Sequence, residues 1–177
     1  MIYVDIDGVL ADSDGYLEQC EPRALKDTHL LFKTIYKYHK TVFKESKPLV
    51  DLNFLKDLDD FCLLTALPNK ANIDSFCENV DEVMSVLENN KKDWVNRYIG
   101  DCKLRIVSST TDKLKYCVTS DDILIDDNKK TGKRWQEKGG RWFPSVEAFL
   151  KRDTNMLTTK KASVKVSVDA GFKADLW

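Results

Sequence analysis

The sequence lacks the features that mark membrane proteins, secreted disulfide-rich proteins and zinc-knuckle proteins. No apolar run is long enough to span a bilayer, and the amino terminus has neither the basic region nor the apolar core of a signal peptide. The five cysteines are scattered, odd in number and contain no C-x-x-C pair, which argues against a disulfide framework or a zinc site. We therefore expect a cytoplasmic protein with reduced thiols.

The sequence also lacks a net charge of one sign. It contains 28 Lys and Arg against 29 Asp and Glu, so a generally basic nucleic-acid coat protein is not indicated. Hydrophobic residues make up 42% and charged residues 32% of the 177 positions, which is typical of a folded globular chain. This length favours one domain with room for a modest insertion.

Short apolar runs rich in β-forming residues recur along the chain. Long segments separate them, and apolar residues at helical spacing within 73–99 predict crossover helices, with a break near 88–90. This alternation predicts an α/β fold with a parallel sheet. The five expected strands are 2–6, 61–64, 104–107, 123–125 and 141–143.

Two segments do not fit a simple alternation of strand and helix. Residues 14–55 are too long for one crossover, and we expect them to form a small helical cap inserted after the first strand. The core would then comprise 1–13 and 56–151. In the tail, 152–177, Val164, Val166 and Val168 alternate with polar residues, so this segment is expected to add a strand or an arm.

Polar residues follow several of the predicted strands. Asp5 and Asp7 end the first, Thr65 ends the second, and Asp126-Asp127 end the fourth. Because ligands of open α/β sheets bind outside the carboxyl ends of the strands, these side chains are expected to converge. Clustered carboxylates need a cation, and oxygen-only ligands favour Mg²⁺. One of the first two Asp residues could be a nucleophile towards phosphorus and the other a general acid/base.

The motifs at these positions resemble those of haloacid dehalogenase (HAD) superfamily phosphatases. Asp5-Ile6-Asp7-Gly8-Val9-Leu10-Ala11-Asp12 resembles the first motif, Leu63-Leu64-Thr65 the second, and Leu124-Ile125-Asp126-Asp127 the last. Within the superfamily, the chain most resembles the 5′(3′)-deoxyribonucleotidases of phage and bacterial type. The segments that carry this closer likeness are 91–100, with its Lys-x-x-Trp-Val pattern, and Thr111-Asp112-Lys113.

The resemblance implies a Rossmann-like HAD core and specific roles for the acidic residues. Asp5 would be the nucleophile and a Mg²⁺ ligand. Asp7 would be the general acid/base and would bind Mg²⁺ through its backbone carbonyl. Asp127 is the favoured carboxylate ligand of the metal, with Asp126 beside it orienting waters, and Asp126 is the alternative ligand.

The resemblance also implies residues that hold the phosphoryl group. Thr65 and Lys113 would bind it, together with backbone N–H groups near Ala66. Lys115 remains a rival to Lys113, because the spacing to Asp126 is slightly longer than in the family.

Aromatic residues of the insertion have two interpretations. Phe32, Tyr36 and Phe43 would pack the insertion against the core, or one of them would stack on a nucleobase, and Phe32 and Tyr36 are our candidates for that contact.

The expected function is a Mg²⁺-dependent phosphomonoesterase that acts through an aspartyl-phosphate, with deoxynucleoside 5′-monophosphates as substrates. A HAD phosphatase for a sugar phosphate or a nucleic-acid end is the alternative, and a catalytically idle HAD-like binding module is a third. Residues 129–152 hold eight Lys and Arg against Glu137 and Glu147. This stretch forms a solvated face or steers phosphorylated substrates. A homodimer is left open.

Overall fold

The computed structural model describes residues 1–152, which form a five-stranded, all-parallel sheet covered by helices. This confirms the predicted α/β class, and the predicted strands match the observed strands closely in position. The order across the sheet is β3-β2-β1-β4-β5. The strands are β1 (Ile2–Val4), β2 (Phe61–Ala66), β3 (Leu104–Val107), β4 (Ile123–Ile125) and β5 (Arg141–Phe143).

The first strand lies in the centre of the sheet. Tyr3 is in register with Cys62 of β2 on one side and with Leu124 of β4 on the other. Since all strands run in the same direction, their carboxyl ends meet at one edge. The order is compatible with a Rossmann-like fold, in which strand order reverses between β1 and its neighbour.

Helices cover both faces of the sheet, which explains why the strands are continuous apolar runs rather than alternating ones. Leu64 and Leu124 pack with the buried ring of Trp135 on one face. Leu63 and Trp94 belong to the larger cluster on the other face. The helices are α1 (Ser13–Cys20), α2 (Thr28–Lys37), α3 (Lys70–Asp74), α4 (Val80–Tyr98), α5 (Lys129–Glu137) and α6 (146–152).

The helix break expected near 88–90 is wrong. α4 runs without interruption through these residues, and the break lies at 75–79, between α3 and α4. Asn90 is buried and its Nδ2 donates a 2.7 Å hydrogen bond to the carbonyl of His39, so tertiary contact outweighs its low helix propensity. Asn79 caps α4 by accepting from the N–H of Glu82, a pairing typical of helix N-termini.

The chain segment after β1 includes the helices α1 and α2. Asp27 caps α2 by accepting a 2.7 Å hydrogen bond from the N–H of Leu30. Ile35 and Phe43 of this segment share an apolar cluster with Leu87 of α4, so the segment packs against the rest of the chain. The boundaries of core and cap stay a prediction. The tail after Arg152 lies outside the described residues. Within residues 1–152, no helix is both long and apolar enough to cross a membrane.

Candidate active site

The polar residues predicted at the strand ends do converge at the carboxyl edge of the sheet. Asp5 directly follows β1, and its N–H donates to the carbonyl of Ile125 in β4 at 2.9 Å. Asp126 follows β4, and Thr65 lies near the end of β2. β1 and β4 are the neighbours at which the strand order reverses, the place where open α/β sheets bind ligands.

Lys113 joins two of the buried carboxylates. Its Nζ lies 2.6 Å from Oδ2 of Asp5 and 2.7 Å from Oδ2 of Asp126, and its side chain is 1% exposed. Burial raises the pKa of Asp5 to about 7, with Lys113 opposing the shift and the neighbouring carboxylates adding to it. Burial would lower the pKa of Lys113, but the carboxylates outweigh it and raise that pKa. The arrangement is a fixed cation between two acids.

The choice between Lys113 and Lys115 follows from the 3₁₀ turn Asp112–Tyr116 that carries both. Lys113 points into the protein, whereas the side chain of Lys115 is 77% exposed and pairs with Asp112 at 2.6 Å. Of these two lysines, Lys113 contacts Asp5 and Lys115 does not, so the geometry favours Lys113 as the lysine that would bind a phosphoryl group.

Asp7 lies in a second network beside the first. Lys91 forms an ion pair with its Oδ2, the hydroxyl of Thr65 donates to the same oxygen at 3.2 Å, and Ser13 donates to Oδ1 at 2.7 Å. Burial acts to raise the pKa of Asp7, but Lys91 and these hydrogen bonds hold it below its usual range. Both carboxylate oxygens of Asp7 therefore accept hydrogen bonds from neighbouring side chains.

Lys91 is the site residue that the sequence analysis missed. It is fully buried on α4, and its Nζ also donates to Oγ1 of Thr65 at 3.1 Å and lies 3.9 Å from the ring centre of Phe43. One signal was present: Lys91 falls at helical spacing between Leu87 and Trp94, both buried. A lysine in the apolar stripe of a helix is rarely buried without a charged partner.

Three carboxylates at the sheet edge could hold a metal ion. One oxygen from each of Asp5, Asp126 and Asp127 lies within 4.8 Å of the others. Asp126 is oriented by a 2.8 Å hydrogen bond from the N–H of Asn128. Within residues 1–152, no hydrogen bond or ion pair engages the Asp127 carboxylate. Burial and then Asp126 raise its pKa to about 6, so a cation there would relieve both effects.

This donor set fits a hard divalent cation, because it offers carboxylate oxygens and neither His nor Cys. The carboxylate of Asp7 is not one of the three, and its oxygens are held by Lys91, Thr65 and Ser13.

Gly8 turns the chain over this group. Its φ of +70° is the left-handed conformation that other residues rarely adopt, and a Cβ there would lie 2.4 Å from Oδ2 of Asp127. The Asp-x-Asp-Gly pattern thus has a steric reason, since glycine lets the loop pass beside the Asp127 carboxylate.

A cavity of about 280 Å³ opens onto the site between the sheet edge and the helical segment. Asp5, Lys113 and Ala66 line it, and Phe32 lies on its apolar side. Tyr36 does not line this cavity. It lies at a separate groove, where its ring stacks on His39 at a centroid distance of 5.8 Å.

Comparison with known proteins adds no assignment. No protein-family model matches the chain, and no curated protein matches it. The function has to be argued from the site itself.

Proposed function

We propose that the protein is a Mg²⁺-dependent phosphomonoesterase of the HAD type. The observation that carries the proposal is the buried Asp5 carboxylate, which Lys113 and the N–H of Ile6 hold at the carboxyl edge of the sheet. Asp7 lies two residues further on, in a different electrostatic setting. Asp5 contacts Lys113 whereas Asp7 contacts Lys91, so the two neighbouring carboxylates can take different roles, one as nucleophile and the other as acid/base.

In the first step, a carboxylate oxygen of Asp5 attacks phosphorus and the bond to the leaving oxygen breaks. Asp7 supplies the proton that the leaving alkoxide needs. In the second step, Asp7 takes a proton from water, whose oxygen attacks the aspartyl-phosphate, and inorganic phosphate leaves with Asp5 restored. Splitting the reaction in this way replaces one difficult displacement by two easier ones.

Lys91 explains how Asp7 can act as an acid although its pKa is low in the substrate-free site. The Lys91 Nζ already contacts Oγ1 of Thr65, so a phosphoryl group bound there competes with Asp7 for the ammonium group. When Lys91 turns to the phosphate, Asp7 loses the partner that holds its pKa down. Thr65 and Lys113 would bind the remaining phosphate oxygens and offset the charge of the transition state.

Asp5, Asp126 and Asp127 would hold the magnesium ion, with the backbone carbonyl of Asp7 as a further ligand. Bound there, the ion would neutralise the phosphate oxygens and position the substrate for in-line attack. Lys113 would remain against Asp5 and Asp126 to keep both carboxylates oriented.

Deoxynucleoside 5′-monophosphates are the substrates that we propose to test first. The cavity above Asp5 has an apolar side formed by Phe32, Phe43 and Leu31, which suits a flat base rather than a hydrated sugar. A base stacked on an aromatic ring gains roughly 1–3 kcal/mol in nucleic-acid-binding proteins.

Release of inorganic phosphate tests the proposal. The substrates are p-nitrophenyl phosphate, the deoxynucleoside and ribonucleoside monophosphates and a sugar phosphate, each with Mg²⁺ and with EDTA. Asp5→Asn should lower turnover at least about 10⁴-fold, because the covalent route is lost. Asp60→Asn is the matched control, since Asp60 lies on the surface in an ion pair with Lys103. No phosphate release from any ester by the folded wild-type protein would refute the proposal and favour a binding module.

A further inference from the structure

Four cationic side chains of α5 form an exposed face that the proposed reaction does not use. Lys129, Lys130, Lys133 and Arg134 lie in two adjacent rows at i, i+4 spacing, while Trp135 is buried on the opposite side. Within the described residues, none of the four forms an ion pair with a carboxylate. Two lysines in the first turn also oppose the helix dipole, so stability does not explain their position.

A narrow groove lies beside this face and next to the proposed active site. Lys130 and Arg134 line it together with the hydroxyl-bearing residues Thr110 and Thr111. Thr110 and Asn128 line both the groove and the cavity above Asp5, so the groove and the cavity are adjacent. The groove holds about 70 Å³, roughly the space of two water molecules and enough for one small oxyanion.

Charge is distributed unequally around the cavity. Asp14 of α1 also lines the cavity, and Glu18 follows on the same helix, so a phosphate chain is repelled from α1. α5 begins at Lys129, directly after its cap Asn128 beside the proposed active site, and its cations continue away from that site at about 1.5 Å per residue. A polyanion whose end lies in the cavity would therefore leave it along α5.

We propose that the α5 face binds the phosphodiester backbone of a single-stranded nucleic acid whose terminal phosphate lies in the catalytic cavity. The groove takes the phosphate next to the scissile one, between Lys130 and Arg134. Lys129 and Lys133 lie outside the groove and meet the phosphates beyond it. A small bisphosphate would engage the groove but would leave these two cations unused. The placement of the terminal phosphate rests on the proposed phosphatase function, whereas the binding surface does not.

Binding is measured by fluorescence anisotropy in EDTA, so that no turnover interferes. The probe is a single-stranded deoxyoligonucleotide of about ten nucleotides with a terminal phosphate at one end and a fluorophore at the other. Probes with the phosphate at the 3′ end and at the 5′ end are compared. Kd is determined at several salt concentrations for the wild type and for K130Q/R134Q. The control is K151Q/R152Q, which removes the same charge from the same basic segment on α6.

The control lies away from the active site. Arg152 lines a groove with Ile123, the first residue of β4, and Gly140, which precedes β5, so the groove lies at the amino-terminal edge of the sheet. We expect K130Q/R134Q to weaken binding about tenfold or more. Each lost phosphate contact lowers the slope of log K against log salt by about 0.7, so two contacts lower it by about 1.4. K151Q/R152Q should leave the Kd and the slope unchanged.

Activity separates this proposal from the phosphatase function. K130Q/R134Q should lower kcat/KM for the phosphorylated oligonucleotide and leave p-nitrophenyl phosphate hydrolysis unchanged. If the wild type hydrolyses p-nitrophenyl phosphate but does not bind the oligonucleotide, the nucleic-acid proposal is overturned and the phosphatase stands. If nothing is hydrolysed but binding follows the variants, the phosphatase fails and the surface stands. If the protein binds a nucleoside 3′,5′-bisphosphate tightly but does not bind the oligonucleotide, the proposal that the α5 face binds a single-stranded nucleic acid is also overturned.

Discussion

Replacing Lys113 by Met should destabilise the protein strongly in the absence of a divalent cation. Methionine fills a similar volume but removes the charge that separates Asp5 from Asp126. The two carboxylates, with ligand oxygens within 4.8 Å, would then repel by about 3–4 kcal/mol at an effective dielectric constant of about 20. Removing one partner of a buried ion pair typically costs about 3–5 kcal/mol of unfolding free energy, which agrees with this repulsion.

Urea unfolding in EDTA measures this loss of unfolding free energy directly. Lys115→Met is the matched control, because Lys115 is exposed and two positions away in the same turn, and its urea midpoint should not move. Adding Mg²⁺ should restore part of the stability of Lys113→Met, since a cation that binds only the folded state raises the free energy of unfolding. The second variant, Lys113→Met with Asp5→Asn, should also recover stability, because the repulsion is gone.

The reasoning fails if Lys113→Met and Lys115→Met lower the urea midpoint by the same small amount. It also fails if neither Mg²⁺ nor the added Asp5→Asn change recovers stability. In the first case Lys113 would not be the counter-ion of the site. In the second, the loss would come from packing rather than from charge.

Two further predictions concern the cavity and the amino terminus. Phe32→Ala should lower kcat/KM for deoxynucleoside monophosphates about 5- to 150-fold more than kcat/KM for p-nitrophenyl phosphate. Tyr36 lies outside the cavity, so Tyr36→Ala should affect both substrates equally. If Phe32→Ala lowers kcat/KM equally for both substrates, Phe32 does not bind the base and has only a structural role. Burial acts to raise the pKa of Asp122, but N–H groups of Val118 and Thr119 hold it below its usual range. Its stabilisation is therefore present above about pH 4 and lost as the pH falls through the lower, folded pKa. In urea unfolding, the difference between the wild type and Asp122→Asn should shrink below about pH 4, and a constant difference would contradict the assignment.

The strands could be predicted because each is a short apolar run that ends in polar or turn residues. The expected run 104–107 and the observed β3 coincide, as do 123–125 and β4. The convergence of Asp5 and Asp126 could also be predicted, since it follows from parallel strands meeting at one edge. These features depend on local composition and on one general rule of topology.

Features that depend on distant contacts could not be predicted. Nothing local to Asn90 shows that its side chain will reach the carbonyl of His39 and keep α4 intact. Lys91 looks like a surface lysine until Asp7 and Thr65 are placed beside it. Tyr36 and Phe32 lie on the same short helix, and only the packing decides which of them faces the cavity.

The central position of β1 has a consequence for how the chain folds during its synthesis. Met1 contacts Asp122, 121 positions later, and β1 pairs with both β2 and β4. At about 5–20 residues per second, the ribosome needs roughly 6–24 s after making β1 to reach β4, the second strand that pairs with β1. Until then one edge of an apolar strand stays unpaired, so early folding intermediates should be prone to aggregation and should depend on chaperones. The carboxyl edge of the sheet, where Asp5 and Asp126 meet, would form only after β4 has been made.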